Sequence, residues 1–246
     1  MCSAVYVHDG AFSDQFYIDV IALTYNESME LCRETMRQCS ERWRHARSVR
    51  ITASECYGLY TACGNWDKKF ERANVKFGGC KATRFGTKHE PIARDMFRCI
   101  TGHKVHQCGL VVPPMTPWLA CSPDGIVETG NALRLLEIKC PALCESTDLM
   151  TNVCARKLPY LQLEGENLIL KSKHKYYAQV QLSMTLLDID ACDFVVFDKA
   201  AYQVHILQID RNDAFCHDLV EKLGSVYFEH FLPYLKRNSR RTRDGV

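Results

Sequence analysis

The residues whose types and spacing could do chemistry lie between Ser122 and Pro141, in the stretch SPDGIVETGNALRLLEIKCP. Glu137 and Lys139 are two residues apart in an apolar segment typical of a strand, so their side chains point to the same face. A hairpin would bring Asp124, which begins the preceding apolar segment, next to them. Two carboxylates and an ammonium at one point predict a site for Mg²⁺ and phosphate. Hard divalent cations bind carboxylate oxygens, and a metal with a lysine can carry the charge that develops during phosphodiester cleavage.

The residues around Glu137 and Lys139 indicate whether the strand face that carries them is buried. A single E-x-K is a weak motif, because charged residues along a strand usually face water. Here Leu135 shares the face of Glu137 and Lys139, whereas Leu136 and Ile138 share the opposite face. The alternation favours a site at the end of a buried strand. On spacing alone, catalysis and a solvated strand face are equally well supported.

Length and composition narrow the class of protein. The chain has 246 residues, of which 47% are hydrophobic, which is enough for one sizeable core with a helical appendage. No run approaches the ~18 apolar residues of a membrane span, and the first residues do not resemble a signal peptide. The 14 cysteines are scattered through apparent core and helical segments. We therefore expect reduced thiols in an intracellular protein without membrane partners; nucleus and cytoplasm are both compatible.

Basic residues are concentrated in two segments, whereas the chain as a whole is nearly neutral. The net charge is only +2, but Arg42–Arg50 and Lys236–Arg243 are rich in cations. Basic patches of this kind bind phosphate backbones. For the C-terminal segment, a solvated, disordered tail explains the composition equally well.

The hydrophobic pattern predicts alternating helices and strands, and hence an α/β sandwich with a mixed sheet. Predicted helices are Ser28–Arg47 (capped by Asn26 or Ser28), Ile51–Tyr60, Glu90–Ile100 (ended by Gly102), Leu143–Ala155, Lys173–Leu187 and Asn212–Leu235, the last ended or kinked near Pro233. Predicted strands are Lys104–Val112, Gly125–Glu128, Leu133–Ile138, two within Tyr160–Leu170, Asp193–Asp198 and Gln203–Ile209. The segment Gly64–Gly79 gives no clear prediction.

Five ordered blocks carry a family resemblance. They are RHARSVRITASE (Arg44–Glu55), FGTKHEPIARDMF (Phe85–Phe97), CSPDGIV (Cys121–Val127), LLEIKCP (Leu135–Pro141) and YYAQVQLSM (Tyr176–Met184). Together they resemble the lambda exonuclease and YqaJ viral recombinase branch of the PD-(D/E)XK nuclease superfamily. The resemblance implies a restriction-endonuclease-like α/β core, with a central mixed β-sheet flanked by helices. We expect a helical extension over 1–42, the nuclease domain over 43–235 and a basic tail over 236–246.

The resemblance implies roles for the charged residues. Asp124 and Glu137 would be the direct metal ligands, with the backbone carbonyl of Ile138 as a further ligand. Glu90, in a G-x-x-x-E motif near a helix start, would be an accessory metal-site or water-orienting carboxylate. Lys139 would contact the scissile phosphate or the attacking water.

Two residues of the YYAQVQ block complete the expected catalytic site. Gln179, rather than Gln181, would lie against the lysine and the water. Tyr176, three residues before Gln179, lies on the same side of the helix. Contact with substrate and a core position are both open for Tyr176.

A second set of residues resembles a pocket for a terminal 5′-phosphate. Arg47, Ser54 and Ser122 match the arginine and serines of that pocket in the family. A guanidinium and hydroxyl donors suit a phosphate physically. The alternatives are a surface cation for Arg47 and a helix cap for Ser54.

The expected activity is that of a Mg²⁺-dependent deoxyribonuclease, in which Mn²⁺ substitutes and metal-activated water attacks the phosphorus. The implied substrate is an end of double-stranded DNA, degraded as a 5′-to-3′ exonuclease. A single-strand annealing protein is a candidate partner. A ring-shaped trimer is the assembly implied by resemblance, although the sequence identifies no surface for it. The alternatives are an endonuclease on the same core and a non-catalytic module that binds DNA ends.

A zinc site is a weaker hypothesis. Cys99, His103, His106 and Cys108 have the spacing C-x3-H-x2-H-x-C, and all four residue types bind zinc. No second CxxC pair supports them, however, so the spacing argues against a structural zinc site.

Overall fold

The computed structural model describes residues 13–74, 80–130 and 132–243. They divide into two compact units, each built from stretches that are distant in the sequence. The first unit takes the described residues within Met1–Val75, Cys108–Ser122 and Asn212–Val246, and the second those within Lys76–Gln107 and Pro123–Arg211. The boundaries expected at residues 42 and 235 remain a prediction. No helix in these ranges is both long and apolar enough to cross a membrane.

The helices and strands of the described residues follow in chain order. The helices are α1 (Gln15–Val20), α2 (Tyr25–Glu34), α3 (Glu41–Ser48), α4 (Cys56–Tyr60), α5 (Trp66–Asn74), α6 (Lys81–Thr101), α7 (Leu149–Cys154), α8 (Lys175–Leu187), α9 (Asp213–Val226) and α10 (Leu232–Arg243). The strands are β1 (Ile51–Thr52), β2 (Lys104–His106), β3 (Leu119–Ala120), β4 (Gly125–Thr129), β5 (Ala132–Lys139), β6 (Leu161–Glu164), β7 (Asn167–Leu170), β8 (Ala191–Asp198) and β9 (Gln203–Asp210). A 3₁₀ turn covers Ala142–Glu145, and a π-helical turn, Tyr227–Phe231, joins α9 to α10.

The second unit is built around a five-stranded sheet with the order β2-β4-β5-β8-β9. The pairs β2/β4, β4/β5 and β8/β9 are antiparallel, while β5 and β8 run parallel. A parallel pair needs a crossover connection, and here the connection contains α7, the β6–β7 hairpin and α8. The predicted α/β class, with a mixed sheet flanked by helices, is therefore confirmed.

Both faces of β5 carry buried apolar side chains, and helices cover both faces. Leu135 packs in a cluster with Val180 and Met184 of α8. Leu136 and Ile138 pack instead in a cluster that contains residues of α6. Strands buried on both faces read as near-continuous apolar runs. The predicted alternation of faces along β5 is correct.

In the first unit, one hydrophobic cluster lies next to the parallel pair β1/β3. Leu31 of α2, Ala46 of α3 and Leu110 pack together there, and Trp43 lies against them. The buried guanidinium of Arg50 donates to the backbone carbonyls of Pro117, Ala46 and Ile21, at 2.7–2.9 Å. A buried charge is tolerated only with such hydrogen bonds.

The prediction of one continuous helix over Ser28–Arg47 is wrong, and so is its predicted first residue. The structure has two helices there, α2 and α3. Thr24, rather than Asn26 or Ser28, caps α2 through a capping box with Glu27. Ser40 accepts from the backbone N–H of Trp43 and so begins α3. A serine that looks like a helix-interior residue in the sequence is thus an N-cap.

The helix predicted from Glu90 begins earlier, at Lys81, with Cys80 as its N-cap. Glu90 is therefore in the helix interior, and the expectation that it lies near a helix start is wrong. Pro91 is inside the same helix, although proline is more usual in a first turn. Gly102 ends the helix as expected, with φ 68°.

Other predicted elements are shorter or divided. The predicted strand Lys104–Val112 ends at His106, and the predicted helix Ile51–Tyr60 begins as β1. The predicted helix Leu143–Ala155 is divided between the 3₁₀ turn and α7. Within Gly64–Gly79 the chain forms α5, and residues 75–79 lie outside the described ranges. The β6–β7 hairpin, α8, β8 and β9 are close to prediction.

The C-terminal helix differs from the prediction at Pro233. The π-helical turn precedes this proline, and α10 then continues to Arg243. The basic segment Lys236–Arg243 is thus helical rather than a disordered tail. Lys236 pairs with Asp14, and Arg237 with Asp67 at 3.0 Å.

Gly109 offers a test of the packing in the first unit. A Cβ at Gly109 would lie 2.2 Å from the carbonyl oxygen of Cys32, whereas one at Gly58 would meet nothing within 4 Å. We expect Gly109→Ala to lower the free energy of unfolding by about 1–3 kcal/mol. Gly58→Ala, inside α4, should be neutral or stabilising by up to about 1 kcal/mol. Urea denaturation midpoints check both, and an unchanged midpoint in Gly109→Ala would contradict the packing.

Candidate active site

The hairpin of β4 and β5 brings Asp124 to the carboxylate and lysine of β5. Gly125 is opposite Leu136 in the register, so Asp124 comes next to the following residues of β5. One carboxylate oxygen of Asp124, Oδ2, accepts a hydrogen bond from the backbone N–H of Ile138 at 2.7 Å. We call Glu90, Asp124, Glu137 and Lys139, which influence one another electrostatically, the carboxylate–lysine cluster.

Glu137 is the most restrained member of this cluster. It is only 2% exposed. Its Oε1 accepts hydrogen bonds from Lys139 Nζ and from Gln179 Nε2, the latter at 2.7 Å. The Lys139 ammonium in turn lies over the ring of Tyr176, 4.5 Å from the ring centroid. Strand β5 and helix α8 together therefore fix the carboxylate and the ammonium.

The two glutamines of α8 have different surroundings. Gln179 contacts Glu137, as expected for the residue favoured from the sequence. Gln181 is fully buried and donates to the backbone carbonyl of Asp210 at 2.9 Å. This bond ties α8 to the end of β9, so Gln181 has a structural role.

Arg94 is a residue of the site that the sequence analysis missed. Its guanidinium donates to Glu90, one helical turn earlier, and its Nε donates to the backbone carbonyl of Asp124 at 3.2 Å. Arg94 thus connects α6 to the start of β4. The i, i+4 spacing of a glutamate and an arginine was the available signal.

Burial and mutual repulsion shape the electrostatics of the cluster. Burial raises the pKa of Glu137, and the charges of Asp124 and Glu90 raise it further against the effect of Lys139. Burial also raises the pKa of Asp124 and of Glu90. Burial alone would lower the pKa of Lys139, but Glu137 and Asp124 outweigh it and raise this pKa. Such a surplus of acidic side chains, one buried and two half-buried, favours an additional cation.

The donor chemistry of the cluster fits a hard divalent cation. Among the described residues, nothing donates to Asp124 Oδ1 or Glu137 Oε2, so each carboxylate keeps one oxygen for a ligand. Carboxylate oxygens are what Mg²⁺ prefers. The three acidic side chains do not form a closed metal cage, and the described ranges contain no group of three or more His, Cys, Asp or Glu arranged as one. The role of the Ile138 carbonyl remains a prediction.

Among the described residues, Cys99, His103, His106 and Cys108 do not come together as a group that could hold a metal ion. His106 instead bonds to Glu128 at 2.8 Å across the β2–β4 pair. The thirteen cysteines that the structure describes form no disulfide.

Arg47, Ser54 and Ser122 come together in the first unit, where Trp43 and Thr52 join them. Arg47 lies over the ring of Trp43, 4.3 Å from its centroid, and donates to Ser54 Oγ at 3.0 Å and to Thr52 Oγ1 at 3.2 Å. Trp43 Nε1 donates to Ser122 Oγ at 2.9 Å. We call these five residues the Arg47 cluster.

Local structure explains the Arg47 cluster. Trp43 and Arg47 are one turn apart on α3, and this spacing was an unused sequence signal. Pairing of β1 with β3 sets Thr52 opposite Ala120, two residues before Ser122. Burial lowers the pKa of Arg47, and the charge of Glu55 partly offsets this effect. A guanidinium surrounded by hydroxyl groups is a suitable anion-binding group.

The fold and the carboxylate–lysine cluster define the PD-(D/E)XK class of nucleases. The YqaJ-like viral recombinase domain matches residues 42–189. The chain belongs to this family. Since the family is one of metal-dependent nucleases, the chain is a nuclease.

Several solved structures are similar to the chain. The alkaline exonuclease LHK-Exo from Laribacter hongkongensis is 26% identical, with a TM-score of 0.62, over 84% of this chain and 100% of that chain. A complex of KSHV SOX with RNA is 10% identical, with a TM-score of 0.63, over 86% and 76%. A phage-related exonuclease from Haemophilus somnus 129PT is 14% identical, with a TM-score of 0.51, over 79% and 98%. The last two share the fold alone. Among curated proteins, the comparison found no match.

The ring of Tyr176 beneath Lys139 gives a prediction for activity. Tyr176→Phe keeps an aromatic ring below the ammonium and should retain most of the nuclease rate. Tyr176→Leu removes the ring, and the loss of about 1 kcal/mol of cation–π attraction should lower kcat about fivefold. Steady-state kinetics compare the two variants with the parent. Equal losses in both would assign the effect to the hydroxyl group, and no loss in Tyr176→Leu would refute a role for the ring.

Proposed function

We propose that the chain is a Mg²⁺-dependent deoxyribonuclease that degrades one strand of duplex DNA from a 5′ end. The product would be single-stranded DNA, ready for annealing. The observation that carries the chemistry is the convergence of Asp124, Glu137 and Lys139 at the meeting of β4 and β5. A structure of LHK-Exo in complex with dAMP is 25% identical in sequence to this chain. This similarity supports a deoxynucleotide substrate.

The acidic residues would hold the metal. Asp124 and Glu137 each keep an oxygen for a cation, the Ile138 carbonyl would be a further ligand, and Glu90 would assist as an accessory carboxylate. When bound, a divalent cation lowers the pKa of water and offsets negative charge on the phosphate. Mn²⁺ is expected to substitute, because it accepts the same oxygen ligands.

Lys139 would act on the scissile phosphate. Its ammonium stays protonated, since the neighbouring carboxylates raise its pKa. The Tyr176 ring and Glu137 hold it in position before substrate binds. A hydrogen bond from Lys139 to a phosphate oxygen would stabilise the charge that develops there. Gln179 would keep Glu137 oriented when Lys139 turns to the substrate, because Gln179 has its own bond to the same oxygen.

The Arg47 cluster would hold a terminal 5′-phosphate and so set the polarity. Arg47 supplies a charge, and Ser54 and Ser122 supply hydroxyl donors. Trp43 restrains both Arg47, by stacking, and Ser122, by its hydrogen bond. Tyr176 is also a candidate substrate contact, although its packing beneath Lys139 explains its position without one.

The organisation and partners expected from the family belong to the same proposal. The nuclease domain would cover 43–235, preceded by a helical extension over 1–42 and followed by a basic segment over 236–246. A single-strand annealing protein is the partner that would use the product, and a ring-shaped trimer around DNA is the implied assembly.

The first test concerns the chemistry. Lys139→Met should lower kcat on linear duplex DNA by about 100- to 1000-fold, because the charge that stabilises the reacting phosphate is removed. EDTA should abolish cleavage by the parent, and added Mg²⁺ should restore it. Lys222→Met, which changes an exposed lysine of α9, is the matched control. Circular dichroism checks the folding of each variant. Full activity in folded Lys139→Met, or in EDTA, would refute the proposed chemistry.

The second test concerns polarity. Duplexes labelled separately at each end, with and without a 5′-phosphate, report where degradation begins. The parent should prefer the phosphorylated end. Arg47→Ala should reduce this preference by about 10- to 100-fold, from the loss of a charged hydrogen bond worth about 1.5–3 kcal/mol. Arg42→Ala, on the same helix and paired with Glu34, is the control. Digestion of closed circular DNA as fast as linear DNA would show an endonuclease instead.

A further inference from the structure

Two cysteines of the first unit lie in contact. Cys32 is near the end of α2, and Cys108 begins the segment that leads to β3. The thiol of Cys108 hydrogen-bonds to the sulfur of Cys32. Both residues are half-buried, so a small reagent can reach them. This arrangement is independent of the nuclease proposal.

The backbone around the pair is fixed by close packing. Gly109 lies so near α2 that a Cβ there would overlap the carbonyl oxygen of Cys32. The backbone N–H of Leu110 donates to Thr35 Oγ1 at 2.8 Å, and Gln38 Nε2 donates to the carbonyl of Cys108 at 3.3 Å. The backbone segments that carry the two cysteines are thereby held close by contacts that do not involve the thiols.

The surroundings also make Cys32 reactive. Its pKa is lowered to about 6, first by the hydrogen bond from Cys108, with smaller contributions from the Gly109 N–H and the Arg33 charge. Burial opposes this shift but does not outweigh it. With this pKa, most of Cys32 is thiolate at neutral pH, and the thiolate is the nucleophilic form. By contrast, burial raises the pKa of Cys140 to about 12 and of Cys144 to about 11.

We propose that Cys32 and Cys108 form an oxidisable thiol pair that a hydroperoxide converts to an intramolecular disulfide. The Cys32 thiolate attacks one peroxide oxygen, the O–O bond breaks, and with hydrogen peroxide the leaving oxygen takes a proton and departs as water. This step oxidises Cys32 to a sulfenic acid. The Cys108 sulfur then attacks the Cys32 sulfur and expels the sulfenic oxygen as a second water. The two thiols give up two electrons and two protons, and the peroxide is reduced.

The consequence would be a covalent staple between α2 and the segment that begins at Cys108. It closes a long loop of the chain, and cross-links of long loops restrict the unfolded state most. We expect the oxidised protein to melt at a higher temperature than the reduced one. Dithiothreitol should reverse the shift.

The experiment treats the full chain with hydrogen peroxide and counts thiols after denaturation. The reduced chain has 14 cysteines, and the oxidised chain should lose two thiols, with a Cys32–Cys108 peptide in non-reducing mass spectrometry. Cys32→Ser and Cys108→Ser should each abolish this peptide, whereas Cys39→Ser, at an exposed site two residues before α3, should retain it.

Alkylation rates give a second readout that does not depend on the oxidant. Iodoacetamide should modify Cys32 half-maximally near pH 6, since its pKa is lowered to about 6. An ordinary exposed thiol needs about pH 8.5 for the same half-maximal rate. Cys108→Ala should move the Cys32 profile to higher pH, because alanine removes the donor whose hydrogen bond lowers this pKa most. The proposal fails if peptide mapping finds other cysteines paired first, or if Cys32 titrates like an ordinary free thiol.

Discussion

The structure of the candidate active site depends on the pairing of Glu137 with Lys139. A carboxylate excluded from water costs several kcal/mol unless it is paired and hydrogen-bonded. Strand periodicity puts the two side chains on one face of β5, and α8 covers that face with Gln179 and Tyr176. Gln179 bonds the carboxylate, and the Tyr176 ring supports the ammonium. The sheet and the helix are therefore both needed to keep two opposite charges buried where chemistry requires them.

The centre of the site could be predicted from sequence because its geometry is local. Glu137 and Lys139 are separated by one residue, and Asp124 reaches them through a single short hairpin. The alternation of Leu135 and Leu136 similarly predicted which sides of β5 would be buried. The preference for Gln179 came from family resemblance, since helix periodicity alone does not distinguish it from Gln181.

The features that sequence reasoning missed depend on the exact limits of helices and on tertiary contacts. Glu90 was placed near a helix start because nothing in the local pattern reveals that α6 already begins at Lys81. Arg94 joins α6 to Asp124 at the start of β4. Its i, i+4 spacing from Glu90 signals only the contact within the helix, and the contact with the distant segment has no local signature. The division between α2 and α3 was missed because Ser40 can be a helix-interior residue or a cap. The structure selects the cap, since the N–H of Trp43 needs an acceptor.

The alternation of side chains between the two faces of β5 also limits which changes the gene can tolerate. Substitutions can exchange Leu135 or Leu136 for other apolar residues and leave the active face unchanged. One codon inserted between Leu136 and Glu137 would instead turn Glu137 and Lys139 towards the side covered by α6. Point mutation and insertion thus have unequal consequences here. During evolution, the length of this strand should therefore be preserved more strictly than the identity of most of its residues.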